Sequence, residues 1–522
     1  MKKRFNVTGV CFPAEHYMAD SSAKYARILA MVEQGDYFTI NRPRQYGKTT
    51  ALFQMEHILK QSNQYLVIRI SFEGLGDSAF RDEEHFCQMF IDELIYKASL
   101  GTDKDLIDAL ENSLPKILSF RSLSRYLTQM IQTVGKKIVL MIDEVDKSSN
   151  NQLFLNFLGM LRDKYLERSQ QVTFHSVILT GVHDVKTLKL KLRPGEEQKY
   201  NSPWNIAADF EVDMNFQPQE IQPMLEEYAQ DRAVAVDAQD VAERLFYYTA
   251  GYPFLVSKLC KIFDEKLLPQ KEEKTWTVAD VDLAASQLLR ESNVNFDELV
   301  KNLENNAALY QLALALVINE QDFPFDLNEP TTNLGVIYGI FTNRNGLAIH
   351  NRIYQEVVAS YMTTKLLVQN QGKIPSSEFA GSYLLPGNRF NISKALLKFQ
   401  ELMKAEYHHK EHEFLERQGR LVFLAFLKPI LNGHGHAFKE PQISEEKRLD
   451  ILITYYQHQY VIELKLWRGQ QAHENGLDQL AGYLDSLGLD EGALLIFDQK
   501  GVKDWKVEDV VWKGKKVFVV WV

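Results

Sequence analysis

Two groups of residues in this 522-residue chain have types and spacings that could do chemistry. The first is Gly47-Lys48-Thr49-Thr50, followed 95 residues after Lys48 by Asp143-Glu144. A glycine before Lys and Thr lets backbone approach phosphate, and a helix starting there offers amide donors. Lys48 could then reach β- and γ-phosphates, and Thr49 could hold Mg²⁺. Ile138-Val139-Leu140-Met141-Ile142 runs into Asp143-Glu144 as an apolar strand would, delivering Asp143 to the Mg²⁺ and Glu144 to the attacking water. Either pattern alone is common. Together, each at a strand's carboxyl end, they read as an ATP site.

The second group is Asp450, Glu463 and Lys465. Residues i and i+2 of a strand share a face, so Glu463 and Lys465 project together while Ile462 and Leu464 face the other way. A hairpin turning at Gln457-His458 would bring Asp450 to Glu463. Two carboxylates offer oxygen ligands to Mg²⁺, or to Mn²⁺, and the ammonium could orient water or balance phosphate charge. Glu-x-Lys is ordinary on an exposed strand. Here the flanking residues are apolar, and a buried charged pair is costly unless used.

These residues need elements to hold them. Tyr37–Ile40, Tyr65–Ile70, Lys137–Ile142, Val172–Thr180 and Phe210–Val212 read as five strands, with helices over Lys48–Lys60, Phe80–Ala98 and Leu123–Val134. Strands alternating with helices favour a covered parallel sheet, hence an α/β class. From Pro218 to Thr363 the pattern is mostly helical, and 371–391 is a linker rich in Gly, Pro and Ser. Helices follow from Ile392 to Lys404 and into Leu431, then a loop at Asn432–Gly435. Strands at Leu449–Tyr455, Tyr460–Leu466, Ala493–Phe497 and Lys516–Val522 complete a second α/β segment. The expected organisation is therefore 1–217, 218–370, the linker, and 392–522.

Composition narrows the setting. The chain is 45% hydrophobic and 25% charged, as packed protein is. Three cysteines, widely spaced, supply neither a disulfide framework nor a Cys-based zinc site. Met1-Lys2-Lys3-Arg4-Phe5 has no apolar stretch behind it, and no run approaches the ~18–20 residues of a membrane helix. The expectation is a reduced, cytoplasmic protein without a membrane segment. The net charge of -10 argues against a polybasic coat, but from Asn391 onward 18 Lys/Arg meet 19 Asp/Glu. That nearly neutral segment approaches a polyanion at little electrostatic cost.

Arg42-Pro43-Arg44-Gln45-Tyr46-Gly47-Lys48-Thr49 resembles the phosphate loop of bacterial AAA-like ATPases, related to STAND ATPases, where Arg replaces the usual first Gly. Ser202-Pro203-Trp204-Asn205-Ile206 and Asn351-Arg352-Ile353-Tyr354 are similar to segments of that family, and Gly251-Tyr252-Pro253 to the G-x-P element in the helical lid of STAND ATPases. The resemblance implies nucleotide contacts from Arg42, Arg44, Gly47, Lys48, Thr49, Thr50, Asp143 and Pro253. Thr180 is a sensor candidate by position, and Arg162, Arg193 and Arg352 stay open as arginine fingers. Leu312–Tyr361 resembles a winged-helix unit.

Arg448 through Gly469, with Tyr460-Val461-Ile462-Glu463-Leu464-Lys465-Leu466-Trp467-Arg468-Gly469, resembles the PD-(D/E)XK nuclease superfamily. Carried over, Asp450 and Glu463 are metal ligands and Lys465 the catalytic lysine. Glu416 completes the metal site, with Glu413 and Glu440 as rivals, and Gln479, with Tyr483, orients it or meets substrate. The resemblance implies a restriction-nuclease-like C-terminal domain cutting DNA, with RNA and a homo-oligomer left open. The alternative is a nucleotide switch whose C-terminal domain only binds DNA or a protein.

Overall fold

Val139 and Met141 alternate with Ile138, Leu140 and Ile142 along one strand, and all five are completely buried. Burial on both faces is what a strand inside a parallel sheet requires. The computed structural model describes the chain apart from residues 1, 75–76, 101–118, 146–151, 183–203, 318–321, 370–382, 407–411, 432–434, 440–441, 445–446, 449–450, 457, 468 and 499–504. Asp450, Arg193, Glu440, Ser202 and Pro203 fall outside the described residues. Two compact units divide the chain. Unit 1 comprises Met1–Asn302, Phe325–Asn343 and His350–Ile353; unit 2 comprises Leu303–Pro324, Arg344–Ile349 and Tyr354–Val522.

Unit 1 is built on four strands, β1 Tyr37–Asn41, β2 Tyr65–Ser71, β3 Lys137–Asp143 and β4 Ser176–Gly181. They are all parallel, in the order β1-β4-β3-β2. Its helices include α1 Ser22–Gln34, α2 Lys48–Lys60, α3 Glu83–Leu100, α4 Phe120–Val134, α5 Gln152–Leu166, α6 Pro218–Arg232, α7 Ala238–Thr249, α8 Pro253–Ile262 and α9 Val278–Leu288. Phe86 and Phe90 of α3, Leu127 of α4 and Phe154 and Phe157 of α5 form one core with Ile138, Leu140 and Ile142.

The expected fifth strand at Phe210–Val212 does not form. Ala208 alone makes a parallel bridge to Phe38, on the flank of β1 that β4 does not use. Phe210 instead stacks on Phe38 with ring centroids 6.0 Å apart, and the Val212 carbonyl accepts from the Arg42 side chain. The apolar pair that suggested a strand is used for packing. Trp204, from the family-like segment, is also core: its indole N–H donates to Thr39 Oγ1 at 2.9 Å.

Unit 2 holds helices α10 Ala307–Val317, α11 Ile392–Glu406, α12 His412–Leu431 and α13 Gln470–Leu487. Its strands are β5 Gly435–Lys439, β6 Ile451–Tyr455, β7 His458–Leu466, β8 Glu491–Phe497, β9 Val507–Trp512 and β10 Lys515–Trp521. They form one mixed sheet in the order β5-β6-β7-β8-β10-β9. β7, β8 and β10 run parallel, whereas β5, β6 and β9 pair antiparallel with their neighbours. Leu477, Leu480 and Leu484 of α13 pack on Leu452, Val461, Leu494 and Val519.

Three expectations change here. Gly435, read as loop, opens β5. His458, read as turn, already pairs with Tyr455, and Tyr456 enters the turn with φ 51°. β9 was not expected, because Glu508 and Asp509 break its apolar pattern and it lies at an exposed sheet edge. Within the expected linker, Leu384–Leu385 pairs antiparallel with Arg389–Phe390. The winged-helix-like stretch contains α10, a helix Pro330–Ile337, short strands Phe341–Asn343 and Leu347–Ile349, and a helix Arg352–Gln369. Among the described residues no helix is long and apolar enough to cross a membrane.

Candidate functional site

Asn41 ends β1, and the chain turns through residues 42–47 into α2. Gly47, at φ 77°, makes the left-handed step that starts the helix. Lys48 is buried, and its ammonium donates to the carbonyls of Arg42 at 2.8 Å and Pro43 at 3.0 Å. The loop therefore curls around its own lysine. Thr49 is half-buried, and Thr50 is buried with its Oγ1 accepting the Cys11 N–H at 3.1 Å.

Asp143 stands at the end of β3, 3% exposed. Its Oδ1 accepts the Glu144 N–H at 3.0 Å and the Thr180 hydroxyl from the end of β4. Thr180, chosen by position alone, thus fixes the Asp143 carboxylate. Glu144 has φ 56°, a conformation that costs a non-glycine residue about 1–3 kcal/mol and concentrates at functional sites.

The two loop arginines point elsewhere. Arg42 donates to the carbonyls of Asn41 at 2.8 Å and Val212 at 2.7 Å and lies 5.3 Å from the Phe210 ring centre. Burial holds its pKa below the usual guanidinium value. It braces the loop against the segment where a fifth strand was expected. Arg44 is exposed and pairs with Glu298 at 3.1 Å. Among the arginine-finger candidates, Arg352 lies over the Tyr247 ring at 4.2 Å, and Arg162 is half-buried in α5.

A cavity of about 140 Å³ adjoins the loop, lined by Gly47 and Thr50, by Pro253 and Phe254 at the start of α8, and by the N-terminal segment from Asn6 to Ser21. Pro253 is buried at the first position of α8, where its missing N–H costs nothing. Lys24 and Tyr25 of α1 also line the cavity. Lys24 is held by Glu220 at 2.5 Å and the Asn215 carbonyl at 2.6 Å, while burial pushes the Tyr25 phenol up to about 12. Burial also raises the Cys11 thiol, so this cavity cysteine is not an activated nucleophile.

The loop is tied to distant parts of unit 1 through Tyr46. Its hydroxyl donates to Asn215 Oδ1 and lies 2.8 Å from His350 Nε2; its ring meets Tyr252 edge-on at 4.5 Å. Tyr252 in turn donates to the Arg44 carbonyl at 2.7 Å. Sequence reasoning missed Asn215, His350 and the N-terminal segment, none of which carries a motif. The histidine does precede the Asn351-Arg352 segment already noticed.

Gly251 sets the lid element. At φ 74°, a Cβ there would fall 2.0 Å from the Phe216 carbonyl oxygen. We expect Gly251→Ala to destabilise unit 1 by on the order of 3 kcal/mol, combining left-handed strain with backbone overlap. Gly135→Ala, at φ 68° with open space around it, should cost only about 1–2 kcal/mol. Denaturant melts of both variants test this, and equal losses would refute the overlap.

In unit 2, Glu463 is 1% exposed and its Oε1 lies 2.7 Å from Lys465 Nζ. α13 crosses β7 so closely that a Cβ on Gly476 would stand 3.1 Å from Lys465 Cγ. Tyr483 is buried in the core under α13, whereas Gln479 is exposed. Ile451, the residue after Asp450, pairs with Ile462, the residue before Glu463. Glu416 and Glu413 lie in α12. Among the described residues no three His, Cys, Asp or Glu cluster as a metal site.

The AAA-like domain family matches residues 10–273, just over half of the chain. An uncharacterized WD repeat-containing protein of Synechocystis sp. is 24% identical over 408 residues, covering 73% of this chain and 33% of that protein. The chain thus spans about a third of the length of this curated relative. The Walker-type ATPase paby2304 of Pyrococcus abyssi is similar over 68% of this chain and 99% of its own, at 13% identity and a TM-score of 0.42. The Aeropyrum pernix ORC2 protein is similar over 66% and 93%, at 14% identity and a TM-score of 0.37. The family match, the parallel sheet and the loop around Lys48 support an ATP-binding, P-loop ATPase-like function, and the chain belongs to the AAA-like domain family.

Proposed function

We propose that this protein is an ATP-regulated, metal-dependent nuclease. In unit 1, Gly47 and the start of α2 would present backbone N–H groups to phosphate, and Lys48 would exchange loop carbonyls for phosphate oxygens. Thr49 and Asp143 are suited to hold Mg²⁺, with Thr180 keeping the Asp143 carboxylate in place. Glu144 would orient water.

The observation that carries the nuclease reading is the almost fully buried Glu463 carboxylate, ion-paired with Lys465 among core residues. A buried ion pair is weak support for stability, so a functional reason for keeping it gains weight. Asp450 and Glu463, with Glu416 on the strength of the family resemblance, would hold Mg²⁺ or Mn²⁺. Such a cation lowers the pKa of its bound water and offsets phosphate charge. Lys465, 28% exposed, would orient that water, and the exposed Gln479 would contact DNA. The same 2.7 Å pair also supports a second reading, because it satisfies both charges without a cation. Unit 2 would then be a nuclease-shaped module that binds DNA or a protein under nucleotide control.

Cleavage decides between them. Supercoiled, linear duplex and single-stranded DNA, with single-stranded RNA alongside, are incubated with the protein and Mg²⁺ or Mn²⁺, with and without ATP. Metal-dependent cleavage whose rate changes with ATP is the expected result. DNA binding without cleavage of any substrate would leave the second reading standing.

A further inference from the structure

α13 presses on β7 at Gly476, directly over Lys465. His473 lies three residues earlier on the same face of that helix. Trp467 follows Lys465 by two residues, so it continues the Glu463–Lys465 face. Its backbone N–H donates to the Phe497 carbonyl at 2.9 Å, which keeps this residue against the sheet. The His473 ring centre lies 6.1 Å from that of Trp467 and 5.4 Å from that of Trp521. The imidazole packs against two indoles whose own ring centres are 6.5 Å apart, one helical turn from the place where α13 meets Lys465, at the carboxyl end of three parallel strands. Ligands of open α/β sheets gather at that end.

The ring is oriented. His473 Nδ1 is enclosed and has no hydrogen-bond partner among the described residues, although the residue as a whole is half-buried. Nε2 is not among the enclosed, unpartnered atoms. Enclosing an unpartnered nitrogen carries a desolvation cost that a phenylalanine in the same place would avoid. Burial also pushes the imidazole pKa down, so the ring is neutral and has one N–H. With Nδ1 enclosed and unpartnered, the tautomer that can still use its N–H carries the proton on Nε2.

We propose that His473 is a substrate-contacting residue of the unit 2 site, its Nε2–H donating to a non-bridging oxygen of a nucleic-acid phosphate held beside Lys465. This rests on the phosphodiesterase reading and adds a residue to it. A neutral donor suits this place, because Lys465 already supplies the positive charge. Trp467 and Trp521 hold the ring in position.

The test uses the full chain and the variants His473→Phe and His473→Gln. Phenylalanine keeps the packing against both indoles and removes the donor; glutamine restores an N–H donor. With Mg²⁺ and a DNA substrate that the wild type cleaves, His473→Phe should lose roughly 10- to 100-fold in kcat/KM. The loss should fall mainly in KM, at unchanged melting temperature, and His473→Gln should recover much of it. A His473→Phe variant with wild-type kinetics, or a glutamine variant no better than phenylalanine at equal stability, overturns the proposal. The same three proteins are compared for duplex affinity in Ca²⁺ by fluorescence anisotropy. If the wild type cleaves nothing, the phosphodiesterase reading fails. The contact then stands or falls on whether phenylalanine weakens binding and glutamine restores it.

Discussion

Lys48→Ala is expected to lower ATP affinity by roughly 10- to 100-fold, the worth of a hydrogen bond to a charged group. The lysine is 5% exposed and held by two neutral carbonyls of its own loop. Phosphate oxygens are stronger acceptors for an ammonium than carbonyls are, so the side chain gains by the exchange. Alanine removes that gain and leaves the Arg42 and Pro43 carbonyls without this donor. Lys48→Arg should not rescue binding, because a planar guanidinium cannot replace a compact ammonium in a closed loop. Titration calorimetry with ATP measures the loss, with melts in the absence of nucleotide to establish that the variants fold. Wild-type affinity in Lys48→Ala would remove ATP from this loop.

Under the proposed nuclease reading, Glu463→Ala is expected to reduce metal-dependent DNA cleavage by roughly 100-fold or more, since it would delete a proposed metal ligand where even supporting residues cost 10–100-fold. Glu463→Gln is the sharper variant. It preserves the volume of a side chain that is only 1% exposed, yet it carries no charge for a cation. Lys465→Ala should lose activity comparably while leaving metal binding in place. Lys465 is 28% exposed and can rehydrate when its partner is removed, so Glu463→Gln should fold. Cleavage assays across a Mg²⁺ titration separate the two variants. Full activity in Glu463→Gln would assign the phosphodiesterase chemistry elsewhere or nowhere.

Much of the fold could be read from the chain because its signals are local. β1 to β4 are short apolar runs with helices between them, and Gly47 announces the start of α2 by the conformation it permits. Gly251-Tyr252-Pro253 combined a glycine that only a left-handed step needs with a proline that only a helix start accepts. Phe210–Val212 misled because two apolar residues in alternation also describe a segment packing its side chains, and Arg42 took the carbonyl that a ladder would have used. β5 was hidden by glycine and histidine, which read as loop, and β9 by charges that an exposed edge tolerates. The candidate sites divide in the same way. Lys48, Asp143, Glu463 and Lys465 belong to motifs with a fixed spacing. Asn215, His350 and His473 owe their positions to packing between segments far apart in the sequence, and periodicity carries no trace of that.

The bond between Tyr46 and His350 joins residues 304 positions apart within unit 1. A fragment ending at residue 273, where the family match stops, would keep every phosphate-loop residue and still lose a partner of that loop. The smallest piece able to reproduce the native nucleotide site is therefore longer than its motif boundaries imply and must extend through Ile353. Domain dissection of this protein should cut after that point. A loss of ATP binding on shorter fragments would then measure what the late segment contributes, rather than the competence of the loop itself.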